Sequence, residues 1–280
     1  MKRRKIKTAS RDFEENDLPA SRLAQYFSIF KERFRMIAWL SFLTSLFFLP
    51  FLLVLFFKDF HLLAVTSNLE NPDESTLQQA RVYANLLYGG GEVLALTLFG
   101  FLFSGVIQIF RQLLWDEPIF LKEDFREGLK SSGLRFVASF LFIAFARFLT
   151  NLSLSPFLQI LLSVILIAFF APIALWFSLQ SVYYRSSFMD TLKNAMKLSI
   201  RTYPFTLLFM GLIIAPLWAM ETYLSKISLF GAFGGMLLLS FVWIAPLSLA
   251  FLSFACAVFD RYINEDYYPE YYRKGLRPLR

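Results

Sequence analysis

The chain has 280 residues, a net charge of +7, 57% hydrophobic residues and only 18% charged residues. Soluble domains carry about 25% charged and about 45–50% apolar residues, so this composition excludes an ordinary soluble domain and indicates a polytopic membrane protein. A single cysteine excludes a disulfide framework and any multi-thiolate metal site. A single histidine excludes most zinc, haem and Ser-His-Asp chemistry.

The sequence also lacks the motifs that identify common enzymes. It contains no G-x-x-x-x-G-K-[ST], no H-E-x-x-H and no G-x-S-x-G. The positive charge is spread among the connections between apolar runs, which is the distribution of a membrane protein and not of a nucleic-acid-binding one. We therefore expect a protein that is not an enzyme, that has no cofactor or metal and that has the lipid bilayer as its partner.

The amino-terminal part combines a basic arm with an amphipathic helix. Residues 1–20 are polar and basic, and we expect them to be disordered on the cytoplasmic side. Leu23, Phe27, Phe30 and Phe34 then recur at helical spacing among basic residues. This pattern is typical of a helix that lies in the membrane interface and is held by anionic lipid.

Six apolar runs are long enough, or nearly so, to cross a hydrocarbon core, which takes about 20 helical residues. They lie near residues 36–57, 93–110, 136–151, 156–180, 203–220 and 236–259. Helices satisfy their own backbone hydrogen bonds in lipid. We therefore predict an all-α fold, a polytopic transmembrane helical bundle of about six spans with amphipathic cytoplasmic connecting helices. Residues 21–262 form its membrane domain and residues 263–280 an aromatic, basic cytoplasmic tail.

The distribution of basic residues predicts the orientation. Of the 28 Lys and Arg residues, 24 lie in four segments, which are residues 1–35, 111–135, 181–202 and the tail after Phe259. Basic residues collect on the cytoplasmic side of membrane proteins, and these segments alternate along the chain. We expect a multi-pass protein of the cell membrane with both termini in the cytoplasm. No cleavable signal peptide is expected, because the first apolar run follows a long polar segment.

The longest connection on the other side runs from Lys58 to Glu92. A turn at Asn71-Pro72-Asp73 could start a short helix that ends at the Gly89–Gly91 run. The alternative is a solvated spacer without a fixed role.

The first cytoplasmic connection predicts an amphipathic helix. Leu121, Phe125 and Leu129 share one face, while Arg126, Lys130 and their charged neighbours fill most of the remainder. Because the charges have mixed sign, the helix fits a solvated or protein-contacting surface better than a purely lipid-bound one. These five residues are candidates for docking a partner.

The second cytoplasmic connection repeats the arrangement. Met189, Leu192 and Met196 share a side, and Ser187 followed by Asp190 resembles a capping box. Residues 125–136 align with residues 192–203 at an offset of 67, and the sequence "APIALWFS" at Ala171 resembles "APLSLAFLS" at Ala245. This similarity indicates either a parallel repeat of span, amphipathic helix and span, or a chance match between apolar segments. The three apolar residues complete the docking candidates.

Three ionisable residues map to the outer ends of spans, namely Glu92, Arg147 and Glu221. Intramembrane charges are frequently functional, and a pair between Arg147 and either carboxylate could line a polar vestibule or contact a substrate. Alternatively, Arg147 reaches the outer interface by itself and the carboxylates only cap helices.

Several segments resemble the YesL-like family of bacterial integral membrane proteins, which occurs mainly in Gram-positive bacteria. The resemblance rests on Gly105, on Phe110-Arg111 and on the helix at residues 124–130, together with residues 192–205 and the tail at residues 259–276. Val106 departs from the pattern, because the family often has proline there. The outer connection is also long for the family. The resemblance implies no catalytic residues, and it implies an accessory role beside carbohydrate transporters.

Two functions follow from this reading. The first is a non-enzymatic accessory or scaffold protein that docks a transporter or ATPase subunit on the cytoplasmic side. The alternative is a small-molecule transporter or channel subunit that uses the fourth to sixth spans, which contain the kinking prolines Pro172, Pro216 and Pro246. The oligomeric state, the partner and any ligand stay open.

Overall fold

The computed structural model describes residues 18–67, 73–152, 155–221 and 228–277. Throughout these ranges the chain is helical apart from short connections, and they contain no strand. The all-α prediction is confirmed. The helices are α1 (Arg22–Glu32), α2 (Phe34–Ser67), α3 (Glu74–Trp115), α4 (Leu121–Ser131), α5 (Gly133–Asn151), α6 (Pro156–Ile165), α7 (Ala171–Tyr183), α8 (Phe188–Arg201), α9 (Tyr203–Ala219), α10 (Leu229–Leu239), α11 (Ala245–Phe259) and α12 (Glu265–Tyr267).

Short π-helical turns join some of these helices into longer rods. They are Leu166–Phe170 between α6 and α7, Ser240–Ile244 between α10 and α11, and Asp260–Asn264 after α11. The first two end directly before an Ala-Pro pair, Ala171-Pro172 and Ala245-Pro246. Proline lacks an N–H and its ring collides with the carbonyl four residues earlier, so a wider turn there lets the rod continue.

Within the described residues, five stretches are long and apolar enough to cross a membrane. They are Phe34–Ser67, Glu74–Trp115, Gly133–Asn151, Phe157–Tyr183 and Leu229–Tyr267. Helices α8 and α9 meet that requirement only together, and they are bent by 92° relative to each other. Counting this pair as one crossing gives the six spans that the hydropathy predicts.

The connection after the first span differs from both sequence interpretations. Helix α2 continues to Ser67, and α3 passes through Gly89 without a break, so most of the connection extends the two spans. Asp73 does start the helix, since its Oδ1 accepts the Thr76 N–H at 2.9 Å, and these hydrogen bonds lower the pKa of its carboxyl. The predicted end at the glycines is wrong. A Cβ at Gly89 would overlap Phe148, so the glycine allows close packing of α3 on α5.

Helix α3 is the centre of the first half of the bundle. It packs against α2 on one side and against α4 and α5 on the other. Helix α5 runs antiparallel to it, because Gly133 meets Phe101 near one end and the Asn85 side chain donates to the Asn151 carbonyl at the other. The ring of helices closes where α10 and α11 pack on α2.

The interior is filled by large side chains. Toward the end that holds α1, α4 and α8, which we call the basic end, Trp176, Phe110 and Phe259 are fully buried. Toward the opposite end the core continues with Phe48 and Phe99, whose ring centroids lie 5.1 Å apart. The two clusters together fill the bundle along most of its length.

Both ends of the described chain meet at the basic end. Residues 263–277 do not form a separate tail, because they pack onto α1 and the end of α3. The Gln25 amide, for example, donates to the carbonyls of Leu114 and Gly275. Of the predicted disordered arm, residues 1–17 lie outside the described residues.

Candidate functional site

The structure brings the three predicted outer residues together and adds a fourth. Glu92 lies on α3, Arg147 on α5 and Glu221 just past α9, while Lys58 comes from α2. The Lys58 ammonium lies 2.7 Å from Glu92 Oε1, and the Arg147 guanidinium lies 3.8 Å from Glu92 and 3.3 Å from Glu221. We call these four residues the charge cluster. It links four helical segments that are distant in sequence.

Burial differs within the charge cluster. Lys58 and Glu92 are only 7% and 5% exposed, so their charged groups are almost fully covered by the rest of the protein. The Arg147 side chain is 35% exposed, and its guanidinium also lies 5.7 Å from the Phe51 ring. Arg147 therefore turns toward the bundle and does not reach away from it. Removing one partner of such a buried ion pair leaves the other charge buried and unpaired, which strongly destabilises the fold.

The chemistry available to the charge cluster is ion pairing. It contains two cations and two carboxylates, and each cation contacts a carboxylate. Within the described ranges, no group of three His, Cys, Asp or Glu side chains has a metal-binding arrangement. The contacts hold α2, α3, α5 and the end of α9 together.

Sequence reasoning missed Lys58. It lies one residue beyond the predicted end of the first span, so it was assigned to the solvated connection. The available signal was that apolar residues resume after Asp59 and His61, at Leu62, Leu63 and Ala64.

At the basic end, the amphipathic helix that the sequence predicts is present as α4. Asp124 and Gly128 are buried against α3, where the Gln112 amide donates to Asp124 Oδ1 at 2.8 Å. Phe125 also turns inward, since a Cβ at Gly105 would lie 2.5 Å from its ring and its centroid is 5.8 Å from that of Phe47. Phe125 is therefore half-buried and packs against the core.

Three of the other four candidates on α4 are exposed. Leu121 is exposed, Leu129 is half-buried, and the two predicted cations Arg126 and Lys130 are exposed. With Lys122, Glu123 and Glu127 they form a charged outer face, which we call the α4 face.

On the second amphipathic helix, α8, the docking candidates also differ in exposure. Met189 and Met196 are exposed, whereas Leu192 packs against the core. The buried side of α8 is formed by Thr191, Ala195, Leu198 and Ser199. The Met residues are accompanied by Ile200, which is 76% exposed.

Sequence reasoning also missed a polar junction that joins the two ends of the chain. Arg22 donates to Asp260 Oδ2 at 2.7 Å, and both residues are buried. The Tyr184 hydroxyl donates to Asn264 Oδ1, and burial raises the pKa of Tyr184, so this hydroxyl stays protonated. No sequence pattern links residues 238 positions apart, although Asp260 directly after a long apolar run was a visible signal.

The junction also explains the orientation of α1. This helix buries Arg22 and Gln25 together with Ile29, and it leaves Leu23 and Phe27 exposed. An exposed apolar face of this kind suits the membrane interface.

The chain matches no protein-family model, no curated protein and no solved structure. The geometry and the sequence motifs are therefore the basis for the functional proposals below.

Proposed function

We propose that this is a non-enzymatic protein of the cytoplasmic membrane that acts as a scaffold and presents the α4 face to a soluble partner. The resemblance to the YesL-like family suggests that the partner belongs to a carbohydrate transporter, such as an ATPase subunit. The proposal treats the basic end as cytoplasmic, in agreement with the distribution of Lys and Arg.

The observation that carries this proposal is the charge arrangement on α4. Lys122, Arg126 and Lys130 are spaced at i, i+4 and i+8 and form a basic row, while Glu123 and Glu127 form an acidic row beside it. All five side chains are exposed, and in the described part of the chain none of them lies in an ion pair. Parallel rows of opposite sign favour one register of a partner over others.

The anchoring of α4 supports the same function. Its inner side is held by Asp124, which accepts hydrogen bonds from the Gln112 amide and from the Phe120 N–H. Gly128 allows the helix backbone to lie directly on α3. A rigid surface loses little conformational entropy when a partner binds.

A second candidate, a transporter or channel subunit, is favoured by the π turns. Two of these π turns, Leu166–Phe170 and Ser240–Ile244, occur before the Ala-Pro pairs of the fourth and sixth spans. Such turns are frequent at functional sites. The aromatic filling of the interior favours the scaffold, since Phe48, Phe99 and Trp176 occupy the space that a wide aqueous path would need. Flux of a solute into liposomes, abolished by Pro172→Ala with Pro246→Ala, would reverse this preference.

The scaffold proposal is tested by a photo-crosslinker placed at Glu123 in the full chain in its native membrane. We expect one soluble protein to be crosslinked and then to co-purify after gentle solubilisation. Arg126→Glu with Lys130→Glu should abolish the co-purification. Lys193→Glu with Lys197→Glu, the same change at the same spacing on α8, should leave it intact.

Two outcomes contradict the scaffold proposal. The first is reproducible recovery of the protein without a crosslinked partner. The second is equal loss of the partner in both double variants, because a general change of net charge would then explain the result.

A further inference from the structure

A small cleft lies at the basic end, between α8 and the π turn that follows α11. Its lining residues are Asn194, Lys197, Leu198, Arg201, Tyr262 and Ile263. The volume is about 40 Å³. A water molecule needs at least about 10–15 Å³ of such space, so the cleft has room for about three oxygen atoms of a larger group whose remainder lies at the opening.

Cations surround the cleft. The Arg201 guanidinium lies 5.0 Å from the centre of the Tyr262 ring, and the Arg261 guanidinium lies 5.5 Å from the same centre. Lys197 is exposed at the rim. Of these three cations, Lys197 and Arg201 line the cleft, and the Tyr262 ring holds the Arg201 guanidinium there by a cation–π contact.

These cations lack acidic partners in the described ranges. No carboxylate oxygen lies within 4.0 Å of Lys197, Arg201 or Arg261. The acidic residues that follow in the chain, Glu265 and Asp266, are exposed and also form no ion pair there. The cleft is thus positively charged, with the Asn194 side-chain amide as an additional hydrogen-bond donor.

The position of α8 indicates which anion can reach the cleft. Because α8 is bent by 92° from α9, it runs across the bundle if α9 crosses the membrane. Met196 and Ile200 are exposed beside Lys197 and Arg201 on this helix. Apolar and basic side chains together on one helix are typical of the boundary between lipid headgroups and acyl chains.

We propose that the cleft binds the phosphate group of an anionic phospholipid of the adjacent leaflet. The Arg201 guanidinium and the Lys197 ammonium contact the phosphate oxygens, and Asn194 donates a hydrogen bond. Met196 and Ile200 contact the acyl chains. Inorganic phosphate has the same oxygen chemistry, but it gains nothing from these apolar side chains. The inference does not depend on partner docking by the α4 face.

The test is native mass spectrometry of the full chain in detergent, titrated with phosphatidylglycerol, phosphatidylcholine or inorganic phosphate. We expect phosphatidylglycerol to bind selectively. Lys197→Gln with Arg201→Gln should weaken it about 25-fold, because each cation near an anionic membrane surface contributes about five-fold. Lys122→Gln with Arg126→Gln removes two cations at the same spacing from α4 and should change the affinity less than two-fold. Tyr262→Leu, which keeps all charges, should weaken binding about two- to five-fold.

Three results overturn the proposal. Equal weakening in both double variants means that the lipid responds only to net charge. Equal affinity for phosphatidylcholine means that the cations do not select the headgroup. Displacement of phosphatidylglycerol by equimolar inorganic phosphate means that the cleft is a site for the free anion.

Discussion

The segment α3–α4–α5 and the segment α7–α8–α9 follow one plan but pack differently. Helices α4 and α8 begin at Leu121 and Phe188, which are 67 residues apart, as the sequence alignment predicts. The breaks after them lie at Ser132 and Thr202, which are 70 residues apart, so α8 is one turn longer. At each break the hydroxyl donates to the carbonyl four residues earlier, Gly128 in one case and Leu198 in the other.

The difference between the segments lies in how the helix that follows the amphipathic helix packs on the span that precedes it. A Cβ at Gly128 would lie 2.8 Å from Gly105 Cα, so α4 lies directly on α3 and α5 returns along it. The matching residue of the second segment in the alignment is Ala195, which is fully buried. There the chain bends by 92° and α9 leaves most of its surface exposed. Helix α5 packs along α3, whereas α9 has little contact with α7, so the first segment is a compact hairpin and the second an open one.

The largest expected effect tests how firmly the first segment is fixed to α2. Replacing Lys58 by Met leaves Glu92 buried with only the more distant Arg147 as partner. We expect the free energy of unfolding to fall by about 3–5 kcal/mol, because the removal of one partner leaves an uncompensated buried charge. Unfolding in mixed micelles, followed by tryptophan fluorescence, measures this change.

The matched control removes both charges. Lys58→Met with Glu92→Gln should recover most of the lost stability, because neither charge then remains buried. A double variant as unstable as the single one would show that packing of the lysine chain, and not its charge, stabilises this contact.

A substitution at Gly128, with an expected effect of intermediate size, tests the close contact between α4 and α3. Gly128→Ala places a methyl group against the backbone of α3 and should cost about 1–3 kcal/mol, as overpacking usually does. Ala195→Gly in the second segment should cost about 1 kcal/mol through helix propensity alone. Thermal unfolding of the two variants under one detergent condition compares them. Equal costs would mean that the close approach of α4 to α3 does not distinguish the segments.

Much of this architecture is predictable from the sequence. Apolar runs of sufficient length gave the spans, and helical spacing gave α4 and α8 with their offset of 67 residues. Periodicity identifies a face without identifying what covers it, however. Phe125 and Leu192 were therefore predicted as docking residues, although both pack within the chain.

Other features depend on contacts that no local pattern contains. The run Gly89–Gly91 is a helix-ending signal in water, but packing against Phe148 keeps α3 intact there. The contact between Arg22 and Asp260 forms only when both ends of the chain reach the same end of the bundle. Of the charge cluster, three members were identifiable because charges are rare in apolar runs, and Lys58 was lost through an error in one span boundary.

The prediction with the smallest expected effect concerns the first residues of the two amphipathic helices, which are capped differently. The start of α8 is capped by Ser187, whose Oγ accepts the Asp190 N–H at 3.2 Å. Phe120, the matching residue before α4, makes no cap with its side chain, and its own N–H donates to Asp124 Oδ2 at 2.6 Å. Ser187→Ala should therefore cost about 1 kcal/mol, and Phe120→Ala, at an exposed site, less than about 0.5 kcal/mol. Hydrogen exchange of the first turn of each helix resolves the two variants. If Phe120→Ala loosens α4 as much as Ser187→Ala loosens α8, Asp124 does not replace the missing cap, and the two helices begin in the same way.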